Sequence, residues 1–173
     1  MAPQPRPRRG SRSLRSAAKT IRYELDMFLL ASRCLQAPNE PAVANLLLEA
    51  LLLHTRVLRD FFRGPGPGSR KDDILVTDFL PVKPRFRLRR LRSSSTKKRL
   101  DKLLAHASFS RPRLDKNWPI GPIQQEIIEA WLLFMERLDK HDPTARGWFP
   151  KYVVEREADG RVRSIGVRPP GRR

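Results

Sequence analysis

Apolar residues recur along this chain at helical spacing. From Ser13 onward, Leu14, Ala18, Ile21, Leu25, Phe28 and Leu35 follow at steps of three, four or seven, the period of one helix face. The stretch APNEP interrupts this pattern. A second helix is predicted over about 40–63, with Asn39 as its N-cap and Pro41 in its first turn. Its seam is Leu47, Leu51, His54, Leu58 and Phe61, and Leu46, Leu48, Leu52, Leu53, Val57 and Phe62 make most of the remaining circumference apolar. A helix of that kind reads as a central one, wrapped by others. Asn45, Glu49, Arg56 and Asp60 form its polar strip, and Gly64 supplies the stop.

A long link over 64–95 follows, with a short apolar element at DDILVTDFL and then the basic run PVKPRFRLRRLRSSS. The third helix, about 96–110, starts at Ser95 or Thr96 and is closed by Pro112. In the fourth, about 121–140, Ile123, Ile127, Trp131, Phe134 and Leu138 share one face, and HDP ends it. The last segment, YVVEREADGRVRSIGV, alternates residue types around Asp159-Gly160, a two-residue turn signal. The expected fold class is therefore all-α: a four-helix up-and-down bundle over 14–145, a basic disordered arm over 1–13, and a C-terminal extension over 146–173 with a small β-hairpin.

Charge changes this picture by its distribution. The net charge is +18, yet residues 1–22 hold seven Lys/Arg and no acid, 83–99 hold nine and none, and 161–173 hold five and none. The rest of the chain is close to neutral, so the basicity belongs to the ends and one loop. Such segments stay solvated and bind polyanions by releasing counterions, without reading sequence. They serve equally well as solubilising arms. Within 83–99 only Phe86 could stack on a base, which argues against specific single-strand recognition.

A single cysteine, Cys34, excludes an internal disulfide and the usual thiolate metal clusters, and its helical register reads as a buried, inert thiol. The longest apolar run, LLLEALLL at 46–53, is too short to span a bilayer, so no membrane association is expected. A cytoplasmic bacterial protein is the simplest reading. The acid-free, Ser/Arg-rich start also suits an organellar transit peptide.

Few enzyme motifs are present. GPGPG has no P-loop lysine behind it, no metal-ligand pair stands at ligating spacing, and Asp72-Asp73 read as caps, so neither metal nor cofactor is expected. His54 lies in the seam of the second helix and reads as a histidine satisfied by a neighbour. His141 sits where a helix C-terminus favours a cation. His106 differs. Seven residues are nearly two turns, so Arg99 and His106 share a stripe with Lys102 between them, while Leu100, Leu103, Leu104 and Ala107 take the opposite face. Lys102, one turn before His106, favours the neutral imidazole. A neutral imidazole beside fixed cations suits metal-free RNA cleavage: the histidine takes the 2′-hydroxyl proton and the arginine steadies the phosphate. A solvated basic helix face has the same residues.

The leucine-rich helix NLLLEALLLHTRVLRDFF, followed by a helix with Arg99, six residues and His106, resembles the HEPN superfamily (higher eukaryotes and prokaryotes nucleotide-binding domains). That resemblance implies a helical bundle, often a homodimer, and in many members a metal-independent endoribonuclease of toxin–antitoxin, defence or RNA-processing type. It implies Arg99 as the phosphate-positioning residue, His106 as the catalytic histidine and Glu49 as a supporting group. Leu100 stands where the family's pattern has a polar residue, and Asp101 comes one position late. Under this reading Lys97, Lys98, Arg87, Arg89, Arg90 and Arg92 contact the nucleic-acid backbone, and the partners are RNA, a second copy and a protein such as an antitoxin. The alternative is a non-catalytic helical interaction module that holds RNA or DNA nonspecifically through its basic segments. A third reading is a structural oligomer built on the seam of the second helix.

Overall fold

A computed structural model describes residues 9–66, 69–81, 85–89, 91, 93, 95, 96, 99–101, 117–156, 158 and 162–167. The chain is mostly helical. Its elements are α1 (Ser11–Cys34), α2 (Pro41–Arg63), a 3-10 turn (Val76–Asp78), α3 (Ile120–His141), the single-turn α4 (Pro143–Arg146), and strands β1 (Tyr152–Arg156) and β2 (Val162–Val167). Residues 95, 96 and 99–101 are also helical; the remainder of the third helix expected over 96–110 lies outside the described residues.

The apolar period of α1 becomes its buried face: Ala18, Ile21, Leu25 and Phe28 are at most 2% exposed. The turn into α2 differs from expectation. Asn39 does not cap α2; its Nδ2 donates to the carbonyls of Cys34 and Ala37 at 2.8 and 2.6 Å, closing the end of α1. Glu40 takes the N-cap position without a side-chain bond, and Pro41 begins the helix, where its missing N–H costs nothing. At the other end Gly64 has φ 68°, the conformation that only glycine adopts cheaply, and its N–H reaches the carbonyl of Phe61.

α1 and α2 form an antiparallel pair, cross-linked by His54 Nδ1 and Glu24 Oε2 at 2.7 Å. α3 completes the core between them. Phe134 is its hub, meeting Phe61, Phe62, Phe79, Trp131 and Phe149 at centroid distances of 5.4 to 6.5 Å, mostly edge to face. Asp142 ends α3 and starts α4, its Oδ1 accepting the N–H of Ala145 at 2.9 Å. β1 pairs antiparallel with β2, Tyr152 opposite Val167 and Val154 opposite Ile165, with an irregularity at Glu155/Arg156. Tyr152 ties β1 to the helices: its ring meets Trp131 edge-on and its hydroxyl donates to Asp26 Oδ1 at 3.2 Å. Burial, and then the Asp26 charge, push that phenol well above the usual tyrosine range.

α2 is not wrapped on all sides. Leu51, Leu58, Phe61 and Phe62 are buried, but Leu46, Leu53 and Val43 are 67, 48 and 44% exposed. By length and composition α2 could cross a bilayer, although its C-terminal half is a core helix of this fold. The circumference is apolar because one part faces the core and another part faces outward, which periodicity cannot distinguish.

Candidate nucleic-acid interface

Within the basic run over 83–99, the described residues 85–89 follow a regular pattern. Burial alternates: Arg85, Arg87 and Arg89 are exposed, whereas Phe86, Leu88 and Leu91 are 5, 1 and 1% exposed. The apolar residues act as pegs. Phe86 packs on Phe62 at 4.9 Å, and the Leu91 N–H donates to Glu126 Oε2 of α3 at 3.2 Å. A segment read as a loop is thereby pinned to the core at Phe86, Leu88 and Leu91, while Arg85, Arg87 and Arg89 stay exposed. Phe86 is committed to the core, so the one ring in this segment that could stack on a base is taken. The described residues of this segment offer charge and hydrogen-bond donors but no free ring for stacking.

Arg99 occupies a different setting. Its Nη2 donates to the carbonyl of Asn117 at 2.7 Å, and its guanidinium carbon lies 4.1 Å from the centroid of the Trp118 ring. Leu100, its neighbour, is fully buried. These contacts fasten the helical stretch at 99–101 to the segment that leads into α3. Trp118 itself is 9% exposed, so the cation sits on a ring already in the core.

Asp101, the polar residue two positions after Arg99, faces α2. It receives the Arg56 Nε at 3.2 Å and lies 3.9 Å from Arg59 Nη2. Arg59 is 3% exposed; its Nε and Nη2 both donate to Asp60 Oδ1, and its Nη1 has no acceptor among the described residues. A cleft of about 520 Å³ opens beside this cluster, walled by Arg56, Arg59, Arg63, Asp60, Asp72 and Asp73. Positive and negative groups alternate around it, so it has no strong preference for a polyanion. Asp73 caps a turn, accepting the Arg70 N–H at 2.7 Å.

Of the residues singled out in the sequence, Arg87, Arg89, Arg99 and Glu49 are described. Glu49 is on the exposed side of α2, seven residues and hence about 10 Å along the axis from Arg56. His106, Lys102, Lys97, Lys98, Arg90 and Arg92 lie outside the described residues. His54 has the neighbour expected of it, Glu24. The Arg56–Asp101–Arg59 anchor escaped sequence reading. Its only trace there is Arg56 on the polar strip of α2 with Arg59 three residues on, and no sign of which carboxylate they meet. Among the described residues no group of three or more His, Cys, Asp or Glu stands where it could hold a metal ion. The sequence matches no protein-family model, and neither a curated protein nor a solved structure similar to it was found.

Proposed function

We propose that this protein is a helical interaction module that grips the backbone of RNA or another nucleic-acid strand without cutting it. The observation that carries this reading is the row of Arg85, Arg87 and Arg89, held outward by the buried pegs Phe86, Leu88 and Leu91. A polyanion gains from such a row because its phosphates exchange condensed counterions for guanidinium groups. Arg90, Arg92, Lys97 and Lys98 add to the same basic run, and the basic residues of 1–22 and 161–173 enlarge the field that draws a polyanion in. The scaffold of this reading is a four-helix up-and-down bundle, with 96–110 as its third helix and 157–161 closing a hairpin. Arg99, engaged by Trp118 and Asn117, has a structural task that does not require a bound phosphate, which weighs against the nuclease reading.

The test is binding of a fluorescent single-stranded RNA over a series of salt concentrations. Replacing Arg85, Arg87 and Arg89 together by Ser is expected to reduce the slope of log affinity against log salt by about 2, from about 0.7 per phosphate contact. The RNA is expected to be recovered intact after prolonged incubation, with or without EDTA. An unchanged slope would remove the arginine row from the interface. Cleavage that disappears in His106→Ala with the fold retained would restore the nuclease.

A further inference from the structure

The cleft beside Arg59 is built from separate stretches of the chain. α1 contributes Thr20 and Ile21, α2 contributes Arg59, the link contributes Ser69 and Asp72, and the helical stretch at 99–101 contributes Asp101. Part of its lining is core: Ile21, Phe61 and Leu75 are at most 3% exposed. A second hollow of about 210 Å³ shares Thr20, Asp72, Asp73 and Ile74 with it and continues toward Ser13 and Ser16 of α1. A concave site of about 520 Å³, part apolar and part charged, suits a metabolite-sized ligand.

Most polar groups of the cleft are already engaged. Arg56 holds Asp101, Asp60 takes the Nε and Nη2 of Arg59, and Asp73 accepts the Arg70 N–H. Three groups still have bonding capacity among the described residues. Arg59 Nη1, on a residue that is 3% exposed, has no acceptor there. Ser69 Oγ accepts the Gly66 N–H at 3.1 Å, which leaves its own proton to donate. Asp72 is exposed and makes no hydrogen bond or ion pair with them. A charged donor, a neutral donor and a carboxylate therefore line one cleft.

Arg59 is the most informative of the three. A buried guanidinium nitrogen without an acceptor has lost its hydration uncompensated, and folded proteins retain few such groups. An aliphatic side chain at this position would fill the space without that loss. A ligand carboxylate set against Nη1 supplies the acceptor, and the Ser69 hydroxyl donates to its other oxygen.

We infer that this cleft binds a small zwitterion with an aliphatic body, the class of leucine and its dipeptide. Arg59 and Ser69 take the carboxylate, Asp72 takes the ammonium group, and Ile21 and Phe61 meet the aliphatic part. Charge selects a zwitterion over a simple ion. Asp60, Asp72, Asp73 and Asp101 stand against Arg56, Arg59 and Arg63 around the cleft. An inorganic anion is opposed by the carboxylates and a simple amine by the guanidinium groups, whereas a molecule with both charges gains at each end. The cleft shares no residue with the arginine row, so the inference does not rest on nucleic-acid binding.

The experiment is isothermal titration calorimetry on the full chain, freed of nucleic acid, at about pH 7, where both ligand ends are charged. L-leucine and leucyl-leucine are each titrated to about 10 mM, and at least one is expected to bind saturably with a Kd between about 10 µM and about 1 mM. Comparing the two reads the length of ligand the cleft takes. Isocaproate, which lacks the ammonium group, and isopentylamine, which lacks the carboxylate, are expected to bind at least about tenfold more weakly. Arg59→Met is expected to weaken the zwitterion at least about tenfold while its urea midpoint stays unchanged or rises, which separates lost binding from lost folding. Asp72→Asn, at an exposed position, is expected to lower the zwitterion's affinity to that of isocaproate. The absence of saturable binding for both zwitterions would overturn the inference. So would wild-type affinity in Arg59→Met or in Asp72→Asn, or inorganic phosphate bound as tightly as leucine.

Discussion

Replacing Arg99 by Ala is expected to cost the fold about 2 kcal/mol. The Trp118 contact, with the guanidinium carbon 4.1 Å from the ring centroid, is well inside the range of effective cation–π pairs. Its ring is buried but its cation is partly hydrated, which puts its contribution at about 1 kcal/mol. The hydrogen bond to the Asn117 carbonyl at 2.7 Å has a charged donor and adds about 1 kcal/mol, the lower part of its range because it is solvent-accessible. Leu100 remains buried next to the substitution, so the stretch at 99–101 loosens without a cavity in the core. Urea denaturation followed by circular dichroism measures the loss directly, and a thermal scan should show a fall in Tm of about 4–8 °C for a chain of this size. Arg99→Lys keeps a cation near the ring and loses the planar fork, so about half the stability should return. A double-mutant cycle with Trp118→Leu should give a coupling of about 1 kcal/mol. A loss below about 0.5 kcal/mol, or a coupling indistinguishable from zero, would refute this account. Arg99 would then be free to serve a phosphate, as the nuclease reading requires.

Two further outcomes follow from buried polar groups. Arg59→Met is expected to leave stability unchanged or raise it by about 1 kcal/mol, because it removes a buried guanidinium whose Nη1 has no acceptor among the described residues while Arg56 keeps Asp101 paired; urea titration that shows a loss above about 2 kcal/mol would contradict it. Tyr152 has a phenol held above its ordinary range by burial and by Asp26, so in alkali the native state binds the proton more tightly than the unfolded chain. Its contribution to stability is complete below about pH 10 and declines above that, by up to about 1 kcal/mol per pH unit after allowance for its partial exposure. Tyr152→Phe should show a shallower decline between pH 9.5 and pH 11 in the same urea assay (about one tyrosine's worth), and parallel curves would dismiss the effect.

The periodic signals were legible because they need only local geometry. α1 begins at Ser11 where a start near Ser13 is expected, α2 occupies Pro41–Arg63 within a residue of its expected bounds, and α3 runs Ile120–His141 against 121–140. Their apolar faces were readable for the same reason. Asn39 shows where local reading stops: it sits between two helices and has the chemistry to end one or begin the other. Which it does depends on where the Cys34 carbonyl lies.

The sequence by itself determined where the chain turns helical, which stripes are apolar and where its positive charge collects, since these follow from residue order and helical period alone. Only the tertiary structure decided the rest. It left Leu46 and Leu53 outside while burying Leu51 and Leu58, each five residues further on, because the core and α1 cover only part of the circumference of α2. It also turned a basic link into an ordered row of arginines, because Phe86, Leu88 and Leu91 found places in a core built from residues distant in the chain. Burial depends on which surfaces meet, and residue order does not specify that until the helices have packed.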